Sequence, residues 1–312
     1  MSKILLTGGA GFIGSHLTGR LLKLGYHVTV VDNLYSGFLH NISEFSKNKN
    51  FKFIQTSVIN PITIETDFTH ILNLACPASP PSYQKDPIYT TKTSVLGVIN
   101  TAEFAIKCNA EYFHTSTSEV YGDPKLHPQK ENYWGNVNPC GPRSCYDEGK
   151  RCSESLIFDY SKTRNLKAKV VRIFNTYGPQ MDPNDGRVIT NFLHQALLEK
   201  DLTVYGDGSQ TRSFCYIDDL VDGILKYFHH NVAFDHPINL GNPSEFKIID
   251  LAKKVIGMTS SSSKISYRPL PQDDPIQRCP NITMAKEKLK WAPQFDLDSG
   301  LLKTINWFKE RI

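Results

Sequence analysis

A tyrosine and a lysine stand four residues apart at Tyr146 and Lys150. On a helix, this spacing places both side chains on one face. A lysine ammonium beside a phenol stabilises the phenolate and lowers the pKa of the tyrosine, so Tyr146 could take a proton from a substrate hydroxyl. Such pairs are also common on helix surfaces, and the pair alone does not identify a catalyst.

A second polar cluster follows the predicted strand Glu111–Ser116 and consists of Thr117, Ser118 and Glu119. Residues at the carboxyl ends of parallel strands face the ligand crevice of an α/β sheet. We expect Thr117 to hydrogen-bond a reacting hydroxyl, and Ser118 and Glu119 to lie beside neighbouring carbons of the substrate. The two clusters together indicate oxidation of a hydroxyl to a carbonyl by hydride loss.

A glycine-rich turn at residues 8–14 follows an apolar run and opens a predicted helix. Gly8, Gly11 and Gly14 give the spacing G-x-x-G-x-x-G. Glycine permits the tight turn and lets backbone amides approach a pyrophosphate, and the helix N-terminus offers unpaired donors to the phosphates. The turn therefore predicts a dinucleotide site.

An aspartate at the end of the second predicted strand favours one dinucleotide over the other. Asp32 lies 18 positions after Gly14. A carboxylate at this position binds the two ribose hydroxyls and repels a 2′-phosphate. Asp32 could also be an ordinary turn residue at the end of a strand. Its spacing from the glycine turn nevertheless predicts NAD binding rather than NADP binding.

The elements that must position these residues alternate between apolar runs and helical periods. Strands are predicted at Lys3–Thr7, His27–Val31, Phe51–Thr56, His70–Leu74, Glu111–Ser116 and Ala168–Ile173. Helices are predicted at Ile13–Lys23, Thr91–Lys107, Asp147–Thr163 and Ser299–Arg311. Alternation of this kind is typical of an α/β protein with a Rossmann doubly wound parallel sheet, covered by helices on both faces.

The alternation becomes irregular after about Asn175, where Pro and Gly are frequent. We expect an NAD-binding Rossmann domain at residues 1–174, continued by roughly 213–241. Residues 175–212 and 242–312 are expected to form a smaller, discontinuous C-terminal lobe that binds the substrate.

Composition excludes several classes of protein. The 312 residues carry a net charge of +4, with Lys and Arg scattered rather than gathered in a stripe, so we expect no nucleic-acid partner. The seven cysteines are odd in number and lack C-x-x-C spacing, which argues against disulfides and against a zinc or other metal site. No apolar run approaches the roughly 20 residues of a membrane helix, and the N-terminus lacks the pattern of a signal peptide. We therefore expect a cytoplasmic protein without membrane contact.

Several longer stretches give the chain a resemblance that runs from end to end. They are residues 74–83, 116–124, 133–139, 141–151, 172–179, 184–188, 202–212 and 272–275. On these stretches the chain resembles the UDP-glucuronate decarboxylases of the extended short-chain dehydrogenase/reductase family. The resemblance implies NAD-dependent conversion of UDP-glucuronate to UDP-xylose through a UDP-4-keto sugar, with NADH recycled internally. It also implies a homodimer formed through the predicted helices Thr91–Lys107 and Asp147–Thr163.

The resemblance also implies roles for individual residues. Tyr146 is expected to be the redox base, assisted by Lys150 and Thr117. Ser118 and Glu119 are expected to act near the carboxylate and the enolate. Further cofactor contacts are implied for Phe12, Ile13, Asn33, Leu34, Ser57, Val58, Leu74, Cys76 and Lys92. Substrate contacts are implied for Pro81, Ser82, Tyr83, Asn175, Arg187, Val188, Tyr205, Gln210, Arg212 and Arg278.

Two positions depart from the family pattern, and three arginines allow two interpretations. Cys76 stands where the family usually has Ser, and Cys140 where it usually has an aliphatic residue. Arg187, Arg212 and Arg278 could be ordinary solvated charges. Their place in the irregular later segments also suits a clamp for a diphosphate, where bidentate arginine contacts are strong.

The electronic logic of the reaction separates decarboxylation from related reactions. Hydride loss from C4 makes a ketone, and the C6 carboxylate is then β to that carbonyl, so CO2 can leave with its electrons delocalised onto oxygen. A 4,6-dehydratase must instead protonate a leaving hydroxyl, and those enzymes carry Asp-Glu where this chain has Ser118-Glu119. A serine hydroxyl is a poor acid near neutral pH, so the pair favours decarboxylation.

A 4-epimerase and a non-catalytic NAD-binding regulator also remain compatible with the chain. A 4-epimerase needs only the Tyr, Lys and Thr set, although the matches at residues 77–83 and 133–151 speak against it. A non-catalytic regulator would be expected to have lost Tyr146, Lys150 or Thr117, and all three are present.

Overall fold

A central seven-stranded sheet organises the chain, of which the computed structural model describes residues 2–311. The strands are β1 Lys3–Thr7, β2 His27–Asp32, β3 Phe51–Gln55, β4 His70–Asn73, β5 Glu111–Thr117, β6 Ala168–Ile173, β7 Thr176–Tyr177, β8 Leu202–Tyr205, β9 Thr211–Ser213, β10 Cys215–Tyr216, β11 Ile238–Leu240, β12 Glu245–Lys247, β13 Ile265–Arg268 and β14 Gln277–Arg278. The helices are α1 Phe12–Lys23, α2 Pro80–Lys85, α3 Pro87–Cys108, α4 Ser144–Arg164, α5 Val188–Leu197, α6 Ile217–Phe228, α7 Ile248–Thr259, α8 Thr283–Leu289 and α9 Leu297–Lys309. The central sheet has the order β11-β6-β5-β4-β1-β2-β3, and every neighbouring pair is parallel.

This order confirms the predicted Rossmann α/β fold. From β1 the chain first adds β2 and β3 on one side of the sheet and then crosses to the other side, where β4 pairs with β1. The order of strand addition therefore reverses between β1 and β4. Ligands of open α/β sheets bind at such a reversal, outside the carboxyl ends of the strands. Thr7 and Asn73 end the two strands side by side, and the Thr7 hydroxyl donates to the Asn73 Oδ1 at 2.7 Å.

The six predicted strands are confirmed, with ends that differ by one residue at most. The predicted helices are also present, but α3 begins at Pro87 rather than Thr91. The signal for the earlier start was in the sequence. Proline is favoured in the first turn of a helix because it has no N–H to leave unpaired, and the preceding Asp86 caps the helix by accepting from Tyr89 N at 2.9 Å.

The later part of the chain forms three smaller sheets. They are the three-stranded β12-β9-β14, the pair β13-β8 and the pair β10-β7. Helices α5, α7 and α9 pack with one another beside them, whereas α8 packs against α6 and β11 of the central layer. The division into residues 1–174 with 213–241, and 175–212 with 242–312, stays a prediction.

Two findings bear on the expectations from composition. All seven cysteines are free, as their number and spacing predicted. Between residues 2 and 311, no helix combines the length and the apolar character that crossing a bilayer requires.

A buried tryptophan joins the C-terminal segment to the central layer. Trp291 is 1% exposed, and its indole Nε1 donates to the Asp219 carbonyl at 3.0 Å. The ring lies against Gly223 of α6, where a Cβ atom would come within 2.9 Å of the indole. The Asp219 carboxylate accepts from Gln294 N and Phe295 N, each at 2.9 Å. One apolar contact and three hydrogen bonds to Asp219 therefore join the segment after α8 to α6.

Replacing Trp291 by alanine is expected to lower the free energy of unfolding by about 3–5 kcal/mol, because truncation of a buried tryptophan loses its apolar burial and leaves a cavity. The matched control is Trp134→Ala, since Trp134 is 88% exposed and its removal is expected to stay within about 0.5 kcal/mol. Urea denaturation followed by far-ultraviolet circular dichroism measures both. Equal effects of the two substitutions would contradict this account of the packing.

Candidate active site

The turn between β1 and α1 requires glycine at two positions where its backbone lies very close to other backbone atoms. Gly8 has φ +75°, and a Cβ there would lie 2.8 Å from the Leu74 carbonyl carbon. A Cβ on Gly14 would lie 2.2 Å from the Gly8 carbonyl oxygen. Helix α1 starts at Phe12 with Gly11 as its N-cap, so the first amides of the helix receive no side-chain cap. A turn of this shape suits the diphosphate of a dinucleotide.

Asp32 holds this turn in place from the end of β2. Its Oδ2 accepts from Ala10 N at 3.0 Å and its Oδ1 accepts from Leu34 N at 2.8 Å. Burial raises the pKa of Asp32, and hydrogen bonds from backbone amides counteract that rise. The carboxylate also lines the cavity next to the turn, where it is placed to meet the hydroxyls of a ribose.

A cavity of about 240 Å³, here called the cleft, runs from the glycine turn to the end of β5. It brings together most of the predicted site residues. Those on the cofactor side are Gly8, Gly11, Phe12, Ile13, Gly14, Asp32, Asn33, Ser57, Val58, Leu74 and Cys76. Those at the reacting end are Ser82, Thr117, Ser118, Glu119, Tyr146, Lys150, Asn175 and Arg187.

The tyrosine–lysine pair lies on the first turns of α4, and both residues are buried. Lys150 Nζ donates to the Thr115 carbonyl at 2.9 Å, which fixes the ammonium at the edge of β5. The Tyr146 ring stacks on Tyr83, with centroids 5.2 Å apart and planes 5° from parallel. The pair therefore has little freedom to turn away from the cleft.

The ionisation of this pair differs from the expectation that Lys150 lowers the pKa of Tyr146. Burial raises the pKa of Tyr146 above its ordinary value, and the Thr117 hydroxyl and the charge of Arg187 only partly counteract the rise. Burial also lowers the pKa of Lys150. The chain's own residues therefore keep Tyr146 protonated, and its ionisation requires further positive charge in the cleft.

Glu119 is the most strongly paired acid of the site. Its Oε2 lies 2.5 Å from Arg143 Nη2, and its Oε1 forms an ion pair with Arg278 Nη1. Burial opposes ionisation of this carboxyl, but the charges and hydrogen bonds of Arg278 and Arg143 hold its pKa well below the usual range. Glu119 is therefore a carboxylate across the neutral range.

The arginines that hold Glu119 belong to a wider network of charges. Asp274 accepts from Arg212 Nη2 at 2.9 Å and lies 3.7 Å from Arg143 Nη1. Arg278 Nη2 also donates to the Gly122 carbonyl at 2.7 Å. Arg212 and Arg278 are register partners on the neighbouring strands β9 and β14. The network thus ties the end of β5 to the start of α4 and to the three-stranded sheet.

A second buried ion pair lies behind the reacting end. Arg172 of β6 donates to both oxygens of Glu154 on α4, at 2.9 and 2.7 Å. Ser116 donates to the same carboxylate at 2.5 Å, and Arg172 also donates to the Tyr121 hydroxyl at 2.9 Å. These contacts join α4 to β5 and β6, so they fix the distance between Tyr146 and the polar cluster.

Some predicted residues lie outside the lining of the cleft. They are Leu34, Pro81, Tyr83, Lys92, Val188, Tyr205, Gln210, Arg212 and Arg278. Tyr83 and Arg278 contact the lining residues Tyr146 and Glu119 directly. Gln210 Nε2 donates to the Tyr205 carbonyl at 2.7 Å, which keeps those two residues together in the later sheets. The predicted ligand contacts of all nine remain predictions.

Two residues of the network were not among the predicted site residues. Arg143 stands three positions before Tyr146, as the N-cap of α4, and Asp274 lies in the loop before β14. Both fall within stretches that carry the family resemblance, which was the available signal. Their charge pairing depends on contacts between residues far apart in sequence, and spacing does not reveal those.

Comparisons with known proteins agree with this geometry. The family described as GDP-mannose 4,6 dehydratase matches residues 5–304. UDP-glucuronic acid decarboxylase 1 of Xenopus tropicalis is 48% identical over 99% of this chain and 73% of its own length. UDP-glucuronic acid decarboxylase 4 of Arabidopsis thaliana is 49% identical over 99% of this chain and 69% of its own length.

Solved structures of similar shape act on nucleotide sugars. UDP-glucuronic acid 4-epimerase of Bacillus cereus, in complex with UDP-glucuronic acid and NAD, aligns with a TM-score of 0.89 and 28% identity over 99% of both chains. UDP-glucose 4-epimerase of Thermotoga maritima, with UDP-glucose, aligns with a TM-score of 0.88 and 29% identity over 99% of both chains. The chain therefore belongs to the extended short-chain dehydrogenase/reductase family that the GDP-mannose 4,6 dehydratase model describes, among its UDP-glucuronic acid decarboxylases.

Proposed function

We propose that this chain decarboxylates UDP-glucuronate to UDP-xylose, with NAD as a recycled cofactor. The observation that carries the proposal is 48–49% identity to UDP-glucuronic acid decarboxylases across 99% of the chain. Two solved structures that share the fold, at 28% and 29% identity, are epimerases. A carboxy-lyase fits the chain better than an epimerase because identity to the decarboxylases is much higher over the same length.

The glycine turn and Asp32 at the carboxyl end of β2 fit an NAD molecule. Gly8 and Gly14 let the turn pack closely against its own backbone and against Leu74, where a Cβ would collide, and Asp32 lines the cleft beside that turn. A bound NAD would supply a reversible hydride acceptor for C4 of the sugar and positive charge beside Tyr146. We propose Leu34 and Lys92 as outer contacts of this cofactor.

Tyr146 is proposed as the base that takes the proton from the C4 hydroxyl. Lys150 is held at the Thr115 carbonyl and is proposed to assist Tyr146, although burial outweighs any lowering of the phenol pKa by the chain's own charges. Thr117 ends β5 in the cleft and is proposed to hydrogen-bond the same oxygen of the sugar. Once C4 is a ketone, Tyr146 and Thr117 can donate hydrogen bonds to the oxygen that receives the electrons of the departing carboxylate.

Ser118 is proposed to distinguish the reaction from a dehydration, since dehydratases carry an Asp at this position before the same Glu. A 4,6-dehydration needs an acid that protonates a leaving hydroxyl, and a carboxyl held by Arg143 and Arg278 has no proton to give. Loss of CO2 needs no such acid. Glu119 is proposed to act near the carboxylate and the enolate, and its own charge is balanced there by Arg143 and Arg278. Ser118 is proposed to orient the carboxylate before it leaves.

The uridine diphosphate end is proposed to lie against the later sheets. Arg187 lines the cleft, and its Nη2 donates to the Ala78 carbonyl at 2.8 Å. Asn175 also lines the cleft. The remaining substrate contacts are proposed for Pro81, Ser82, Tyr83, Val188, Tyr205, Gln210, Arg212 and Arg278. A cytoplasmic location is proposed as well, because seven free thiols suit a reducing compartment.

A homodimer is proposed in which the interface is formed by α3 and α4, two helices that pack against each other. Leu96 on α3 is 37% exposed. Val95 and Ile99 on α3 and Leu156 on α4 are half-buried. A second copy that covers these apolar side chains would bury surface that water otherwise contacts.

Incubation of the chain with UDP-glucuronate and catalytic NAD is expected to yield CO2 and UDP-xylose in equal amounts, with no net NADH. Product identification by mass spectrometry and nuclear magnetic resonance checks this. UDP-galacturonate would show an epimerase instead. Intact NAD binding without any CO2 would show a non-catalytic binding protein.

Tyr146→Phe is expected to reduce kcat by about 10²–10⁴-fold, because it removes the proton-transferring hydroxyl, while NAD binding stays within about twofold. The matched control is Tyr267→Phe, since Tyr267 is 57% exposed on β13 and should keep full turnover. Steady-state kinetics and NAD titration by calorimetry measure the two effects. Retained turnover in Tyr146→Phe would remove this residue as the base.

Sedimentation velocity is expected to show a dimer for the unaltered chain and a monomer for Leu96→Arg, because a charge in an apolar interface cannot be solvated. Leu302→Arg provides the control, since Leu302 is 54% exposed on α9, away from the proposed interface. A monomer for the unaltered chain, or dissociation by Leu302→Arg alone, would contradict the proposed interface.

A further inference from the structure

A second group of chemically active side chains lies outside the residues that line the cleft. His127, Glu245 and Cys279 come from three separate segments, and their ligand atoms all lie within 4.8 Å of one another. We propose that these three residues form a binding site for a thiophilic divalent transition metal of the Zn²⁺ type. The site is distinct from the proposed NAD and sugar-nucleotide sites and does not depend on them.

The donor set matches the preferences of zinc. Imidazole nitrogen, carboxylate oxygen and thiolate sulfur are its three usual protein ligands, and a site with three of them keeps a fourth position for water. His127 Nε2 and Glu245 Oε2 are already 2.8 Å apart. Around a tetrahedral zinc, with bonds of about 2.0–2.3 Å, ligand atoms are roughly 3.3–3.8 Å from one another. The three ligand atoms, all within 4.8 Å of one another, would have to adjust by about 1 Å to reach that geometry.

Neighbouring groups hold two of the ligands in place. Thr211 Oγ1 donates to Glu245 Oε1 at 2.8 Å, which leaves Oε2 toward His127. Cys279 N donates to Gln129 Oε1 and Gln129 N donates to the Cys279 carbonyl, both at 2.9 Å. Outer contacts of this kind orient metal ligands and strengthen metal binding. The site is thus supported by the β12-β9-β14 sheet and by the segment around Gln129.

An ion from solvent can also reach the site. The side chains of His127 and Glu245 are 30% and 25% exposed, so a hydrated ion can reach them, while Cys279 is buried at the inner end. The thiol now donates to the Pro243 carbonyl at 3.3 Å. On metal binding, the S–H bond breaks, its proton passes to solvent, and the sulfur lone pair forms the bond to the metal. No oxidant or reductant is required.

Occupancy would join three parts of the chain that are far apart in sequence. Cys279 directly follows Arg278, whose guanidinium holds Glu119. A metal bound to Cys279, Glu245 and His127 would clamp the end of β14 to β12 and to the segment before Gln129. We expect binding to raise the melting temperature, since a ligand that binds only the folded state stabilises it.

The test uses tag-free, reduced protein from which metal has been removed with a chelator. Anaerobic titration with Co²⁺ alone is expected to give one equivalent per chain of a tetrahedral visible spectrum with a thiolate-to-cobalt charge-transfer band. Added Zn²⁺ should abolish that band. Absence of the band at saturating Co²⁺, or its persistence at full strength in Cys279→Ser, would overturn the proposal.

Matched variants separate this site from the other thiols and from misfolding. Cys152→Ser and Cys140→Ser remove exposed thiols and should leave the band and the Zn²⁺ affinity unchanged. His127→Gln keeps the buried thiol and removes one ligand, so it should weaken Zn²⁺ binding at least about 10-fold with an unchanged circular dichroism spectrum. Should Cys279→Ser fail to fold, His127→Gln decides alone, and unaltered Zn²⁺ affinity in that variant would overturn the proposal.

Discussion

A buried carboxylate between two guanidinium groups holds the reacting end of the cleft together. Charges removed from water are stable only when opposite charges and hydrogen bonds replace the lost solvation. Glu119 meets that condition with Arg143 on one side and Arg278 on the other, and Asp274 shares in the compensation of Arg143. Because the partners come from α4 and β14, the requirement to neutralise one carboxyl fixes three segments relative to one another. Removal of a single partner from such a group typically costs about 3–5 kcal/mol, since it leaves an uncompensated buried charge.

The same constraint sets the chemistry that the cleft can support. An ionised Glu119 paired with two arginines has no proton to donate, so it cannot serve as the acid of a dehydratase. Burial meanwhile keeps the phenol of Tyr146 protonated until positive charge enters the cleft. We propose that positive charge brought by the cofactor activates this base. The surroundings lower the pKa of Glu119 and raise the pKa of Tyr146. Opposite shifts of this kind assign different roles to two groups of one site.

The sequence predicted the parts of the molecule that depend on local pattern. Apolar runs separated by helical periods predicted the six strands. The spacing of Gly8, Gly11 and Gly14 located the dinucleotide turn, where a Cβ on Gly11 or Gly14 would meet the backbone of the turn itself. The cluster after β5 was also predicted, since parallel strands place their carboxyl ends at one edge. The expected lowering of the Tyr146 pKa by Lys150 was not met because the burial of both residues could not be read from their spacing.

Residue spacing in the sequence could not predict contacts between distant segments. Arg143 as a partner of Glu119 depends on the approach of α4 to the end of β5. The expectation of no metal site rested on the lack of C-x-x-C spacing, whereas His127, Glu245 and Cys279 meet only after the later strands pair. Patterns within about one helical turn are visible in a sequence, and the meeting of three distant segments is not.

The ionisation of Glu119 is the most direct test of this account. Infrared difference spectra between the unaltered chain and Glu119→Gln, both labelled with ¹³C-glutamate, isolate the absorption of this one carboxyl. A folded-state pKa below the ordinary value of about 4.3 means that the carboxylate form persists as the pH falls toward that value, and its contribution to stability is lost only on further acidification. We predict a carboxylate band that is unchanged from pH 8 to about pH 5. A protonated carboxyl band at neutral pH would contradict the account.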